Sequence, residues 1–276
     1  MTSPTRQQWT DTARPPLSGR ALAAALVRAG SFVTDLRVVA STGSTNDDVA
    51  ALAGAGAPEG LVLVAEEQTG GRGRLDRGWR SPPRAGLTFS VLLRPPATVP
   101  VHRRTWFPLL AGLAVQQAVE RLGEVPARLK WPNDVLLGPD RRKAAGILVQ
   151  AGGGAVVVGI GLNVSTRRAE LPPGGTSLAV EAAQCTDRDP LLRAILRRLG
   201  ALYAGWCAAG GDPDGPRAAY EAVCDTLGRP VRVLLPDGTE LTGTATGLDS
   251  DGRLVLRTGD GQRAVSAGDV THVRPG

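Results

Sequence analysis

Residues 134–162 read DVLLGPDRRKAAGILVQAGGGAVVVGIGL, which is three apolar segments separated by turn-forming residues. The segments cover 134–137, 145–150 and 156–162, with the loop 138–144 and the glycine run 152–154 between them. Consecutive strands joined by short turns pair in opposite directions. The stretch therefore predicts the centre of an antiparallel β-sheet.

Further strands and several helices are predicted on both sides of this stretch. The expected order is a strand at 36–40, a helix opening at the capping residues Ser44-Thr45-Asn46, strands at 61–67 and 86–93, and helices at 106–122, 189–208 and 216–227. We expect the last two helices to cover one face of the sheet. The predicted fold class is α/β (α+β), a mixed and largely antiparallel sheet flanked by helices.

The pattern changes after Gly228 to short β segments at 231–235, 240–248, 253–257 and 263–266. These predict a small C-terminal β-barrel, and aromatic residues at 4% are too few for a base-stacking surface on it. We divide the chain into an N-terminal extension with a short helix (1–35), a main domain (36–227) and the barrel (228–276).

Composition argues against several classes of protein. The chain has 276 residues and is 42% apolar, which indicates a globular protein, and no apolar run reaches the roughly 20 residues of a membrane span. Three cysteines without metal-ligand spacing indicate a reducing compartment, so we expect a cytoplasmic protein. The two histidines, His102 and His272, are too far apart in sequence to suggest a histidine metal site or a Ser-His-Asp triad.

Basic residues are almost all arginine. The net charge is +6, but the arginines are dispersed along the chain, which argues against a nucleic-acid-binding tract. Only Lys130 and Lys143 are lysines. A lysine is a compact charge that arginine cannot replace at a tight phosphate or carboxylate site. We favour such a role for Lys130, whereas chance explains Lys143, beside Arg141 and Arg142, equally well.

The segment 68–79, QTGGRGRLDRGW, follows a strand that is predicted to be buried. Glycines allow backbone N–H groups to approach an anion closely, and Arg72, Arg74 and Arg77 add positive charge. Phosphate binding is the functional interpretation. A flexible, solvated Arg-Gly loop is the structural alternative, and contact with nucleic acid is a third.

The second unusual segment is Leu129–Val135, LKWPNDV. Pro132 restricts the backbone, and we expect Asn133 and Asp134 to cap the turn and orient a lysine that is partly shielded from water. Alternatively, Trp131 is a core residue and Lys130 extends along it to solvent.

These two segments suit one type of chemistry better than others. Joining a carboxylate to a nucleotide α-phosphate brings like charges to within about 4 Å, at a cost on the order of 4 kcal/mol per charge pair at an effective dielectric constant of about 20. Positioned cations offset this repulsion, and an ionised carboxylate needs no general base. The residues therefore favour adenylation over proton-transfer catalysis.

Five ordered motifs resemble those of biotin protein ligases. They are Ser44-Thr-Asn46, Gly71-Arg-Gly-Arg74, Lys130-Trp-Pro-Asn-Asp134, Lys143-Ala-Ala-Gly-Ile-Leu148 and Gly159-Ile-Gly-Leu-Asn-Val164. The resemblance implies an α/β catalytic domain, an SH3-like C-terminal barrel, and ATP-dependent transfer of biotin to a biotin carboxyl carrier domain of an acyl-CoA carboxylase. It implies Mg²⁺ that accompanies ATP, without a metal site made by the protein itself.

The resemblance also assigns roles to individual residues. The expected catalytic residues are Lys130, Arg72 and Arg74. Those expected to bind biotin are Ser44, Thr45, Asn46, Gln68, Arg72, Gly73, Arg74 and Lys130. Those expected near the nucleotide are Trp79, Asn133, Lys143 and Gly146.

Two departures from the family pattern affect these expectations. Asp76 stands where a glycine is usual, which leaves the order of the loop open. About 35 residues precede the main domain, too few for a winged helix-turn-helix, so we do not expect operator binding. The acceptor protein, the oligomeric state, the order of substrate binding and the role of the barrel stay open, and a lipoate or octanoate ligase is the nearest alternative.

Overall fold

A computed structural model describes residues 14–74, 77–235, 237–266 and 268–273. Its main feature is a seven-stranded sheet in the order β1-β2-β3-β7-β6-β5-β4. The strands are β1 (Asp35–Val39), β2 (Leu61–Ala65), β3 (Gly86–Leu93), β4 (Ala127–Lys130), β5 (Asp134–Leu137), β6 (Arg142–Gly152) and β7 (Ala155–Asn163). β1 and β2 pair in parallel and all the other pairs are antiparallel, so the prediction of a mixed, largely antiparallel sheet is confirmed.

The helices pack on both faces of this sheet. They are α1 (Gly19–Leu26), α2 (Thr45–Gly54), α3 (Phe107–Gly123), α4 (Arg188–Ala208) and α5 (Asp214–Glu221). Helix α2 packs against β2, β3 and β7 on one face, and α3 packs against β4 to β7 on the other. Of the last two helices, which were expected to cover one face of the sheet, α4 packs mainly on α3 and also contacts β3, and α5 packs on α3 and β9.

The C-terminal part forms a five-stranded antiparallel sheet in the order β11-β10-β9-β8-β12. Its strands are β8 (Pro230–Leu234), β9 (Glu240–Leu248), β10 (Leu254–Thr258), β11 (Gly261–Val265) and β12 (Asp269–His272). These strands are short, and in β8 and β10 buried side chains alternate with more exposed ones, which agrees with the predicted SH3-like barrel. The domain boundaries proposed at 35/36 and 227/228 stay predictions.

Two strands are absent from the sequence-based prediction. β4 and β12 have only four residues each, which is too short for a clear alternation of apolar and polar side chains. Both are held by pairing with strands that are already in place, β4 with β5 and β12 with β8. Within the described ranges, no helix is long and apolar enough to cross a membrane.

A turn of the barrel, residues 249–252, is hydrogen-bonded to two buried tryptophans of the main domain, Trp106 before α3 and Trp131 between β4 and β5. Trp106 Nε1 donates to Ser250 O at 3.0 Å, and Trp131 Nε1 donates to Gly252 O at 3.0 Å. Gly252 has a positive φ of 72°, and a Cβ there would lie 2.9 Å from Leu109 Cδ1. The turn therefore requires glycine for its backbone conformation and for its close approach to α3.

Substitution of Trp106 tests how much this junction stabilises the chain. Trp106 is fully buried, so Trp106→Ala should lower the free energy of unfolding by about 3–5 kcal/mol. Val101 provides the control, because it is 70% exposed at the start of the same 3-10 helix, Val101–Trp106. Val101→Ala should change the free energy of unfolding by less than about 0.5 kcal/mol. Chemical denaturation measures both, and equal losses in the two variants would contradict the packing argument.

Candidate active site

The candidate site is a cleft whose floor is the α2-facing side of the main sheet. Strand register aligns Thr88, Gly161, Gly146 and Asp134 in one row across β3, β7, β6 and β5. A second row consists of Ser90, Gly159 and Leu148 on β3, β7 and β6. Residues directly opposite one another on paired strands have side chains on the same face. Glycine thus occupies the middle of both rows and leaves the floor without side chains there.

Side chains from elsewhere in the chain occupy the space above these glycines. A Cβ at Gly159 would lie 2.1 Å from Asn46 Oδ1, and a Cβ at Gly161 would lie 2.4 Å from Trp79 Cε2. Both distances are shorter than any side chain tolerates. The motif Gly159-Ile-Gly161 therefore provides room for Asn46 and Trp79, which explains its sequence in physical terms.

One end of the cleft is lined by uncharged hydrogen-bonding groups at the start of α2. Ser44 caps this helix, and its hydroxyl faces the Asp47 N–H. The Thr45 N–H and hydroxyl both donate to Gln68 Oε1, at 2.8 and 2.9 Å. Ser90 Oγ donates to Asn46 Oδ1 at 2.7 Å and lies 2.7 Å from Thr45 Oγ1. The last three bonds and the Ser90–Thr45 contact join three predicted residues, Thr45, Asn46 and Gln68, and Ser90 in one polar group.

We call residues 71–79 the Gly-Arg segment. Its described residues, 71–74 and 77–79, fold back on themselves above the floor of the cleft. Gly73 N donates to Arg77 O at 2.6 Å, and Trp79 N donates to Gly71 O at 2.9 Å. A Cβ at Gly71 would lie 2.4 Å from Trp79 O, so glycine is required for this close return. The fold-back carries the Trp79 ring over Gly161. The predicted effect of Asp76 lies outside the described residues.

Cationic groups converge on the cleft from this segment. Arg72 pairs with Asp47 on α2, and Arg77 pairs with Asp269 on β12 of the barrel. Arg74 Nη1 donates to Asn133 Oδ1 at 3.4 Å. Burial lowers the pKa of Arg74 below its usual value, opposed by the nearby charges of Asp134 and Asp269, but an arginine side chain remains charged in proteins.

Lys143 reaches the cleft because of a β-bulge. In the β5–β6 pair, Val135 lies opposite Ala145 and Leu136 lies opposite Lys143, so Ala144 is the extra residue. Residues 143 and 146 differ by an odd number and would face opposite sides of a regular strand, but a bulge shifts this alternation. Lys143 Nζ consequently lies 3.4 Å from the Cβ position of Gly146 and 2.6 Å from Asp134 Oδ1.

Lys130 lies next to the cleft, opposite Asp134, but is not among the residues that line it. At the end of β4, it continues the first row by one more strand, at the edge of the sheet. Its charge acts on the C-terminal part: burial and then Lys130 lower the pKa of His272 below its usual value. The role of Lys130 as the catalytic cation stays a prediction. Asp134, expected to orient Lys130, pairs with Lys143.

The other predicted residues lie together. Those that line the cleft are Ser44, Thr45, Asn46, Gln68, Arg72, Gly73, Arg74, Trp79, Asn133, Lys143 and Gly146. Sequence reasoning missed several further lining residues, namely Thr88, Asp134, Ile147, Leu148, Pro172, Pro173, Gly174, Gly175 and Asp269. The glycines in Gly159–Gly161 and the conspicuous Pro-Pro-Gly-Gly at 172–175 were the available signals. Asp269 had none, because its place depends on long-range packing.

Comparison with known proteins identifies the family. Residues 38–166 match the model of the biotin/lipoate A/B protein ligase family, and residues 226–273 match that of the biotin protein ligase C-terminal domain. The chain is 44% identical over 270 residues to the biotin–[acetyl-CoA-carboxylase] ligase of Mycobacterium tuberculosis, covering 96% of this chain and 98% of that protein.

The chain belongs to the biotin protein ligase family. Members of this family form biotinyl-adenylate and transfer biotin to a carrier protein. The bifunctional ligase/repressor BirA of Bacillus subtilis is 32% identical over 82% of this chain and 70% of its own length. The biotin protein ligase of Aquifex aeolicus in complex with biotin and ATP superposes with a TM-score of 0.73, at 30% identity, over 88% of this chain and 100% of that chain.

A ligase that depends on the bare floor of the cleft should be sensitive to one methyl group. Gly161→Ala should displace the Trp79 ring, and at an overpacking cost of about 1–3 kcal/mol the dissociation constant for biotin should rise roughly tenfold or more. Gly152→Ala at the end of β6, where nothing lies within 4 Å, should bind biotin normally. Titration calorimetry measures both constants. Unaltered binding by Gly161→Ala would refute the packing requirement.

Proposed function

We propose that this biotin protein ligase binds biotin and ATP in the cleft between α2, the Gly-Arg segment and β6–β7. It forms biotinyl-5′-AMP there and transfers the biotinyl group to a lysine of a biotin carboxyl carrier domain. The observation that supports this most is the polarity of the cleft. Uncharged hydrogen-bonding groups line one end, and Arg72, Arg74 and Lys143 lie beside it.

The uncharged end suits the ureido ring of biotin. That ring is neutral and carries both N–H donors and a carbonyl acceptor, so it requires hydrogen-bond partners without net charge. Ser44, Thr45, Asn46 and Gln68 supply hydroxyl and amide groups of both kinds. Buried polar groups left unpaired by a wrong ligand are costly, which gives this end its selectivity.

In the first step a biotin carboxylate oxygen attacks the α-phosphorus of ATP. A C–O–P linkage forms, the bridging P–O bond between the α- and β-phosphates breaks, and pyrophosphate leaves. Two anions at about 4 Å repel by on the order of 4 kcal/mol per charge pair at an effective dielectric constant of about 20. Lys130, with Arg72 and Arg74, offsets this repulsion, and the predicted nucleotide-binding residues Lys143, Trp79, Asn133 and Gly146 lie beside the same charges.

The cleft fits a Mg²⁺ ion that accompanies the nucleotide. Asp134 lines the cleft, and its Oδ1 forms an ion pair with Lys143 Nζ at 2.6 Å. Among the described residues, no group of three or more acidic, histidine or cysteine side chains forms a complete metal site. Mg²⁺ is typically held by one or two carboxylates together with substrate phosphates, so Asp134 would hold it. Bound there, the ion would neutralise phosphate charge.

In the second step a lysine amine attacks the carbonyl carbon of the mixed anhydride. An amide bond forms, AMP leaves with the electron pair of the C–O bond, and the amine loses a proton. The anhydride is open to hydrolysis, and Arg72, Gly73 and Arg74 on the folded-back segment would shield it. The name of the M. tuberculosis relative supports a carboxylase carrier domain as partner. The free cysteines support a cytoplasmic location.

Biotin-dependent exchange of labelled pyrophosphate into ATP tests the proposed activity. We expect exchange with biotin and none with lipoate in a parallel reaction, because only biotin presents a ureido ring to the uncharged end. Exchange with lipoate alone would retain the adenylation chemistry and overturn the substrate. Absence of exchange with either acid, in protein shown to be folded, would overturn the proposal.

The two lysines make a matched pair for testing the catalytic charge. Lys130→Ala should reduce the exchange rate at least about 100- to 1000-fold, the effect of removing one preorganised group that stabilises charge in a transition state. Lys143→Ala, which removes the ion-pair partner of Asp134, should reduce the rate less. Rapid-quench measurement of biotinyl-5′-AMP formation separates the two. The reverse order of effects would make Lys143 the catalytic cation instead.

A further inference from the structure

A short segment at the start of the described chain is held by hydrogen bonds with Arg188 and Glu66. We call residues 14–17 the N-terminal strap. Arg188 Nη2 donates to Pro15 O at 2.6 Å, and Leu17 N donates to Glu66 Oε1 at 2.5 Å. Arg188 and Glu66 themselves form a buried ion pair at 2.5 Å, with side chains 6% and 9% exposed. The strap is thus held by groups that have little access to water.

Arg14 is the most buried residue of the strap. It is only 8% exposed, and its Nη2 donates to Ser165 O at 3.0 Å and to Glu170 Oε2 at 2.7 Å. The same Glu170 oxygen accepts from Arg167 N at 2.8 Å. The bond from Arg14 is the main reason why the pKa of Glu170 lies below its usual value. Two points of the segment 165–170 therefore depend on one guanidinium.

The segment that Arg14 holds continues directly into a wall of the cleft. We call residues 165–176 the cleft-wall loop. Its residues Pro172 to Gly175 line the cleft, and Gly175 N donates to Pro172 O at 2.9 Å. Its far end pairs with the backbone of Lys143: Lys143 N donates to Gly174 O at 3.0 Å, and Thr176 N donates to Lys143 O at 2.8 Å.

We infer that Arg14 is a positioning residue for the nucleotide end of the cleft, acting through Ser165 and Glu170 on the cleft-wall loop; this inference rests on the proposed function. The loop is fixed at its start by Ala85 and Ser177, and at its far end by Lys143. Between residues 167 and 173, the hydrogen bond that ties it to a distant part of the described chain comes from Arg14. The uncharged end, built from Ser44, Gln68 and Ser90, makes no contact with this loop in the hydrogen bonds described above.

The kinetic test compares Arg14→Ala with three other variants. Arg14→Ala should raise the KM for ATP in pyrophosphate exchange roughly tenfold, a loss typical of one positioning contact, while the KM for biotin stays close to normal. Arg14→Lys keeps a donor and a charge at this position and should restore most of the ATP affinity. Glu170→Gln should raise the KM for ATP in the same sense, and combining it with Arg14→Ala should add little, because both remove one contact.

Arg37→Ala is the control variant. Arg37 also pairs with a carboxylate, Asp35, but its side chain is 50% exposed on β1, away from the cleft-wall loop. It should leave both KM values unchanged. Equal increases in the KM for ATP and for biotin in Arg14→Ala, or no recovery in Arg14→Lys, would indicate general destabilisation and overturn the positioning role.

Hydrogen exchange followed by mass spectrometry tests the same contact without relying on activity. In Arg14→Ala, peptides covering 165–176 should exchange faster than in the unaltered chain, whereas peptides covering α2 should not. Unchanged exchange in 165–176 would overturn the inference. Faster exchange in 165–176 together with an inactive unaltered chain would instead overturn the proposed function, so the two failures are distinguishable.

Discussion

The site depends on the absence of side chains at three neighbouring points of the sheet. Gly146, Gly159 and Gly161 lie side by side on β6 and β7, and the space above them is occupied by Asn46, by the Trp79 ring and by the end of the Lys143 side chain. A strand weakened by glycine costs stability, and here neighbouring strands on both sides offset that cost. The constraint links α2, the Gly-Arg segment and β6, because each of them reaches the same bare surface.

The charges of the site are matched before any substrate is bound. Arg72 pairs with Asp47, Arg77 with Asp269 and Lys143 with Asp134, and each carboxylate comes from a different element. When an anionic substrate binds, each cation therefore exchanges its carboxylate partner for the substrate. Such an exchange offsets part of the desolvation cost of the ligand, and it holds extended arginine and lysine side chains near their working positions.

Local sequence was sufficient for most of the fold and for much of the candidate site. Strands such as Gly86–Leu93 and helix α3 have strong periodic patterns, and residues such as Ser44 and Gln68 lie in compact motifs. The lysine assignment required more. The bulge at Ala144 directs Lys143 towards the cleft, and the pairing of β4 with β5 places Lys130 opposite Asp134. Bulges and pairing across the sheet are long-range properties, as is the contribution of Asp269, so composition and spacing could not reveal them.

The turn at 249–252 has a consequence for protein engineering. Trp106 and Trp131 of the main domain donate hydrogen bonds to carbonyls of this turn, and Gly252 lies in close contact with α3. The barrel is therefore not an interchangeable module that can be grafted from one relative onto another by matching the linker alone. A chimera would have to retain the turn, both tryptophans and Asp269 together, because all of them make contacts between the barrel and the main domain.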